Sequence, residues 1–187
     1  MSLRTCFTRF ESKKTLIADI IVLTGFYLVR IFVGGAATGI ILSPWLVAFC
    51  FALFFSLASC KRYAELCLVQ GDGGVKIRRR AYLKEDAGTI HVMGVAAAFS
   101  AVLILGLYLD SPNAKALYKH PEFLWICCLL LLYWLLRLWL LAGRGVLVDD
   151  PLLIAARDWR AWVLVITAGI TFLAASGPPF FNYLLDR

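Results

Sequence analysis

Residues 16–35 read LIADIIVLTGFYLVRIFVGG, an apolar run whose charged residues are Asp19 and Arg30. An α-helix needs about 20 mostly apolar residues to cross the roughly 30 Å hydrocarbon core of a bilayer. The run has that length, and it lacks the alternation of polar and apolar residues that marks a membrane β-strand. It therefore predicts a membrane-spanning helix.

Similar apolar runs follow along the rest of the chain, at residues 42–60, 90–109, 123–142 and 161–181. Together they predict an all-α fold, a polytopic membrane helix bundle with five transmembrane helices. Several glycines fall inside these runs and suit the close approach of helices: Gly34, Gly35, Gly94, Gly106 and Gly169. No internal repeat or second domain is visible.

The composition excludes most soluble classes of protein. Of the 187 residues, 61% are hydrophobic and only 17% are charged, whereas soluble domains carry about 25% charged residues. A soluble enzyme, a nucleic-acid-binding domain and a disordered tail are therefore excluded, and no nucleic-acid partner is expected. The six cysteines and two histidines do not form a CxxC or similar pattern, so we interpret the cysteines as packing residues.

The positions of the positive charges predict the orientation of the chain. Lys and Arg number fourteen in the N-terminus, the 61–89 loop and the 143–160 loop, and three in the opposite segments. Loops rich in Lys and Arg stay in the cytoplasm. The sequence thus predicts a multi-pass protein of the cell (inner) membrane, with the lipid bilayer as partner and the N-terminus in the cytoplasm.

Charges inside a membrane span are costly, so each is a candidate site residue. Asp19 and Arg30 are eleven residues apart, which places both on one helix face about 16 Å apart along the axis. Asp19 is equally well explained as an interfacial residue near a helix N-terminus. Arg30 is equally well explained as a hydrogen-bond donor to carbonyl groups of another helix.

Two further groups of charged residues lie near the predicted cytoplasmic ends of the spans. On a continuing second helix, Lys61, Arg62 and Glu65 share a face, where two cations and a carboxylate suit a polyphosphate and its metal ion. Asp150 and Asp158 are oxygen ligands of the kind that suits Mg²⁺ shared with phosphates. The alternative for Asp150 is simple capping of a helix that begins at Pro151.

The ordered set of motifs resembles the UbiA prenyltransferase superfamily, and within it the branch around decaprenyl-phosphate phosphoribosyltransferase. The resemblance covers roughly residues 13–175. It is carried by these stretches: Asp19 with Tyr27-Leu28-Val29-Arg30, Gly34-Gly35-Ala36-Ala37-Thr38-Gly39, Leu42-Ser43-Pro44-Trp45-Leu46, Lys61-Arg62-Tyr63-Ala64-Glu65-Leu66, His120-Pro121-Glu122, and Asp149-Asp150-Pro151 with Arg157-Asp158.

The resemblance implies that the five spans correspond to helices five to nine of a nine-helix enzyme. It divides the chain into a divergent cytoplasmic N-terminus at residues 1–13 and the C-terminal half of a UbiA-like domain at residues 14–187. The family's first Asp-rich motif, of the type NDxxDxxxD, is absent from this sequence, since neither Asn113 nor Asn182 is followed by Asp. Activity is therefore expected only with a chain that supplies the N-terminal half.

The activity implied by the resemblance is transfer involving a polyprenyl phosphate or diphosphate, with Mg²⁺ as cofactor. In this branch the phosphate attacks the anomeric carbon of a phosphoribosyl pyrophosphate, and pyrophosphate leaves. The implied phosphate-binding residues are Lys13, Arg30, Lys61 and Arg62. The implied orienting or metal-linked carboxylates are Asp19, Glu65, Asp150 and Asp158.

Two hypotheses without catalysis stay open beside the transferase. The first is a non-catalytic membrane remnant or assembly protein that is retained for packing. The second is a small transporter with Asp19 and Arg30 along its path, which the lack of an inverted repeat disfavours.

Overall fold

The computed structural model describes residues 3–39, 42–71, 86–118, 120–145 and 159–176. All regular structure in these residues is helical. The elements are α1 (Leu3–Thr38), α2 (Pro44–Gly71), α3 (Asp86–Asp110), α4 (Pro112–Leu117), a 3-10 turn (Pro121–Phe123), α5 (Leu124–Gly143) and α6 (Trp159–Ser176). The predicted all-α class is confirmed for this part of the chain.

Four helices contain segments that are long and apolar enough to cross a membrane, at Ile17–Thr38, Pro44–Cys67, Asp86–Asp110 and Leu124–Gly143. They match four of the five predicted spans. The apolar part of α6 is shorter, at Ala161–Ala175, and the remainder of the predicted fifth span lies beyond the described residues. The fifth crossing therefore stays a prediction.

The helix ends follow from local sequence. Gly39 stops α1 with a φ of +68°, a left-handed conformation that residues with a Cβ rarely adopt. Pro44 opens α2, where its missing N–H has no helical partner in any case. Ser111 caps α4 by accepting a hydrogen bond from the Ala114 N–H at 3.4 Å, ahead of Pro112. These signals mark the end of α1, the start of α2 and the start of α4.

The packing is centred on α2, which contacts α1, α3 and α5, while α6 packs on α5. The contacts form three buried clusters: Ile20, Ala58, Leu66, Ala87 and Ile90 between α1, α2 and α3; Cys60, Ala64, Leu138, Trp139 and Ala142 between α2 and α5; and Leu109, Leu124, Cys128 and Ala175 between α3, α5 and α6. Small residues in these clusters let the backbones approach closely, as is usual in membrane bundles.

The outward faces of the helices are strongly apolar. Large hydrophobic side chains such as Phe26, Leu103, Leu129 and Leu140 are more than 60% exposed. Exposing a continuous apolar surface of this kind to water is unfavourable, whereas the hydrocarbon of a bilayer solvates it. The surface thus fits association with a lipid bilayer.

Gly94 allows α3 to pack closely against α2 and α5. A Cβ added at Gly94 would overlap the indole ring of Trp139 and lie 2.8 Å from the Cβ of Ser59. The ring is in turn fixed by a hydrogen bond from its Nε1 to Ser56 Oγ at 3.1 Å. The prediction of close helix contact is confirmed at Gly94, whereas at Gly34 and Gly169 an added Cβ would have open space.

We expect Trp139→Phe to lower the free energy of unfolding by about 1–2 kcal/mol. The smaller ring leaves Ser56 Oγ, which is fully buried, without the indole donor, and it removes part of the packing on α3. Unfolding by SDS in mixed micelles, followed by circular dichroism, measures the change. A second variant, Ser56→Ala, removes the acceptor alone, and in its background Trp139→Phe should cost less. Equal costs in both backgrounds would show that the hydrogen bond contributes nothing.

Candidate functional site

A buried arginine links α1 to α2 near one end of the bundle. The Nε of Arg62 lies 2.7 Å from Asp19 Oδ2 across the helix interface, and its Nη1 donates to both oxygens of Glu65, at 3.0 and 2.8 Å. Arg62 is only 4% exposed, while the two carboxylates are about a third exposed. We call these three residues the Arg62 clamp.

The clamp forms because of the register between two antiparallel helices. Asp19 of α1 meets Arg62 of α2, and Tyr27 stacks on Phe54 with the ring centroids 4.9 Å apart. From Asp19 to Tyr27 the residue number increases by eight along α1, and between their partners, Arg62 and Phe54, it decreases by eight along α2. The predicted i,i+3 contact between Arg62 and Glu65 is present because α2 continues as a helix to Gly71.

Lys61 adds a further positive charge next to the clamp. It is partly buried and lies one residue before Arg62 on α2. The charges of Arg62, Asp19 and Glu65 sum to one negative charge, so Lys61 makes the group of four formally neutral. Lys61 therefore supplies the second positive charge at this end of the bundle.

Asp86 is a candidate residue that the sequence reasoning missed. It is the first residue of α3 and only 1% exposed, and the next residues, Ala87 and Ile90, pack in the same cluster as Ile20 and Leu66. Asp86 therefore lies at the clamp end of the bundle. The available signal was an acidic residue just ahead of an apolar run, where a helix N-terminus stabilises negative charge.

Arg30 is not part of this group. Its guanidinium carbon lies 5.7 Å from the centre of the Tyr27 ring, about three helical turns deeper in α1 than Asp19. The expected separation of Asp19 and Arg30 along one helix is thus present, but one phosphate cannot contact both Arg30 and Lys61. The structure does not bring these two predicted phosphate ligands together.

The remaining predicted site residues are only partly described. Lys13 lies on α1, about 9 Å before Asp19 along the helix axis, and its side chain is outside the described residues. Asp150 and Asp158 lie outside the described residues altogether. Their predicted roles stay predictions.

An aromatic group supports the clamp end of the bundle. The rings of Tyr63, His91 and Trp139 lie 5.1 to 5.8 Å apart in a triangle that joins α2, α3 and α5. This packing gives His91 a structural role. The triangle keeps α3 and α5 in fixed positions beside Lys61 and Arg62.

Two apolar cavities open between the helices. One of about 590 Å³ is lined by α3, α5 and α6, with Leu105, Trp134 and Trp162 among its walls. Another of about 790 Å³ lies between α1, α2 and α3, around Phe51 and Phe55. Their walls suit a hydrocarbon chain, and they offer few polar groups for any other ligand.

The described residues do not by themselves form a Mg²⁺ site. Across residues 3–39, 42–71, 86–118, 120–145 and 159–176, no three His, Cys, Asp or Glu side chains are grouped so that they could hold a metal ion. Asp19 and Glu65 are instead occupied by Arg62.

The fold and the clamp define a helical protein whose four long apolar helices fit a lipid bilayer. No family model and no solved structure matches the chain. An uncharacterized protein of Sinorhizobium fredii, y4nM, is 32% identical over 167 residues, which are 89% of this chain and 32% of that protein. Nodulation protein NoeC of Azorhizobium caulinodans is 29% identical over 162 residues, 84% of this chain and 52% of that protein. The chain thus spans about a third and about half of the length of these curated relatives.

Proposed function

We propose that this chain is a membrane-embedded module that binds the phosphate end of a polyprenyl phosphate beside the Arg62 clamp. In this proposal it forms part of a UbiA-like transferase whose other helices come from a further polypeptide segment. The observation that carries the proposal is the clamp itself, a buried arginine held by carboxylates from two helices with Lys61 beside it. The greater length of the relatives agrees with a module of a larger protein.

In this proposal, charged residues bind the phosphate and apolar surfaces bind the hydrocarbon chain. Lys61 attracts the phosphate by its charge, which is effective next to a bilayer because screening by water is weak there. Asp19 and Glu65 hold the Arg62 guanidinium in one orientation, so this cation does not have to reorganise when the anion arrives. The apolar cavities take the hydrocarbon chain, and the proposed location is the inner membrane with the clamp on its cytoplasmic side.

We expect Lys61→Gln to weaken binding of farnesyl phosphate, a short polyprenyl phosphate, about fivefold. A charge pair at a partly buried position contributes ~1 kcal/mol, which is the reason for this magnitude. The measurement is quenching of tryptophan fluorescence on titration of the purified chain in nanodiscs with farnesyl phosphate.

The matched control is Lys115→Gln, which removes the same charge on the opposite side of the predicted membrane. Lys115 is exposed and pairs with Asp110 at 2.6 Å. Its loss should leave the affinity unchanged. Equal weakening by both variants, or equal binding of farnesol and farnesyl phosphate, would contradict the proposed phosphate site.

Catalysis by the chain alone is not expected, because the sequence lacks the NDxxDxxxD motif that binds Mg²⁺ and pyrophosphate in the family it resembles. Proteoliposomes that contain the chain, labelled polyprenyl phosphate and a phosphoribosyl pyrophosphate donor should show no transfer. Transfer by this preparation would disprove the need for a further segment.

A non-catalytic membrane protein is the second candidate function. It is favoured by one observation, that the Arg62 charge is already balanced by two carboxylates. A purely structural clamp would leave farnesyl phosphate binding unaffected by Lys61→Gln, so the same titration separates the two functions.

A further inference from the structure

A positive charge stands in the middle of a membrane span. Arg30 is the fourteenth of the 22 residues of the Ile17–Thr38 span, less than one helical turn from its midpoint. Its side chain is exposed at the edge of the interface between α1 and α2. A charged group at this depth faces hydrocarbon unless another group covers it, and the cost is several kcal/mol.

The contacts described for Arg30 do not neutralise it. Its partner within the described residues is the Tyr27 ring, and no described carboxylate lies within ion-pair distance of it. A surface groove of about 440 Å³ lies beside the guanidinium on α1, bordered by the otherwise apolar residues Leu23, Phe26, Tyr27 and Val29. One turn further along α1, Gly34 has open space beyond its Cα, which allows the close approach of a helix.

Charge complementarity and depth limit what can cover this face. A second copy related by a twofold axis along the membrane normal would place two Arg30 side chains at the same depth, and like charges there repel. A lipid headgroup lies about 12 Å from Arg30 along the helix towards Thr38. Even with the arginine side chain extended towards the interface, the headgroup would have to enter the hydrocarbon region to meet it. A helix with a carboxylate at the depth of Arg30 meets neither obstacle.

We propose that the face of α1 around Arg30 docks a further transmembrane helix that carries an Asp or Glu paired with Arg30. The relatives match this chain over only a third to a half of their length, and the proposal places the partner helix in such further sequence. The pairing deepens the proposed function by describing the partner segment, but it does not require phosphate binding at Lys61.

The test uses a synthetic helix as the partner. A 22-residue Leu-Ala peptide with one central Glu is reconstituted with the donor-labelled chain in liposomes, and association is measured by energy transfer to a label on the peptide. We expect Arg30→Gln to reduce the association constant roughly 5- to 30-fold, the range of membrane-buried polar contacts in model peptides. A matched peptide with Gln in place of Glu should bind the unchanged chain equally weakly.

A charge swap separates ion pairing from general packing. Arg30→Glu should abolish binding of the Glu peptide and restore it to a peptide with a central Lys, while Lys61→Gln should have no effect. The inference is overturned if Arg30→Gln leaves association unchanged, or if transfer between two copies of the chain exceeds that to the peptide. Weaker binding of farnesyl phosphate by Lys61→Gln is a separate outcome and tests only the proposed function.

Discussion

Replacing Arg62 with Met is expected to lower the free energy of unfolding by about 2–3 kcal/mol. The change removes the ion pair of Asp19 with Arg62, which joins α1 to α2, and it takes the guanidinium away from Asp19 and Glu65 beside an apolar cluster. Breaking a fully buried ion pair costs about 3–5 kcal/mol. The cost here is smaller because both carboxylates are about a third exposed and water can reach them. SDS titration of the reconstituted chain, monitored by circular dichroism, measures the change.

The design includes a conservative variant and a matched ion pair. Arg62→Lys keeps the charge, but an ammonium group cannot reproduce the planar contacts with two carboxylates, so we expect about half of the loss. A double-mutant cycle between Asp19→Asn and Arg62→Met should give a coupling energy of about 1–2 kcal/mol. The exposed pair Lys115–Asp110, with side chains 55% and 73% exposed, should give less than ~0.5 kcal/mol. Similar coupling in both pairs would show that burial does not strengthen the clamp.

Gly94→Ala and Gly169→Ala should change stability in opposite directions. At Gly94 the new methyl group overlaps the Trp139 ring and crowds Ser59, so the ring must move and the hydrogen bond to Ser56 is lost. We expect a loss of about 2–3 kcal/mol. At Gly169 an added Cβ meets open space, and Ala in a helix interior gains up to ~1 kcal/mol over Gly. The same SDS titration measures both variants.

A rescue experiment identifies the colliding ring. In the Trp139→Phe background the atoms that meet the added methyl group are absent, so Gly94→Ala should cost about 1 kcal/mol less there. If the cost is the same in both backgrounds, Trp139 is not the cause of the destabilisation. A loss of stability in Gly169→Ala would contradict the space seen around that glycine.

The helices were predictable because their signal is local. Apolar runs of about 20 residues and the separating Gly39 and Pro44 place four spans within four residues of their observed ends, except that the second span continues to Cys67 and not to residue 60. The limits of α1 and α2 were less predictable. Both helices continue through polar sequence, to Leu3 in α1 and to Gly71 in α2, where backbone hydrogen bonds extend a helix without an apolar signal.

The site was predictable only in part because it depends on how the helices face one another. The contact between Arg62 and Glu65 follows from a spacing of three residues, whereas the pairing of Arg62 with Asp19 depends on the register of α1 against α2. No pattern within one helix contains that register. For the same reason the sequence could not show that Arg30 and Lys61, which the family resemblance places in one phosphate site, lie apart. Nor could it show that Asp86 is buried.

The Arg62 clamp has a consequence for biogenesis. Asp19, Arg62 and Glu65 each make entry into the lipid less favourable when their helices partition one at a time. Once Asp19 and Arg62 are joined, most of their opposite charge is cancelled. We therefore expect α1 to remain at the translocon until α2 has been synthesised. The two helices should then enter the lipid together as a helical hairpin.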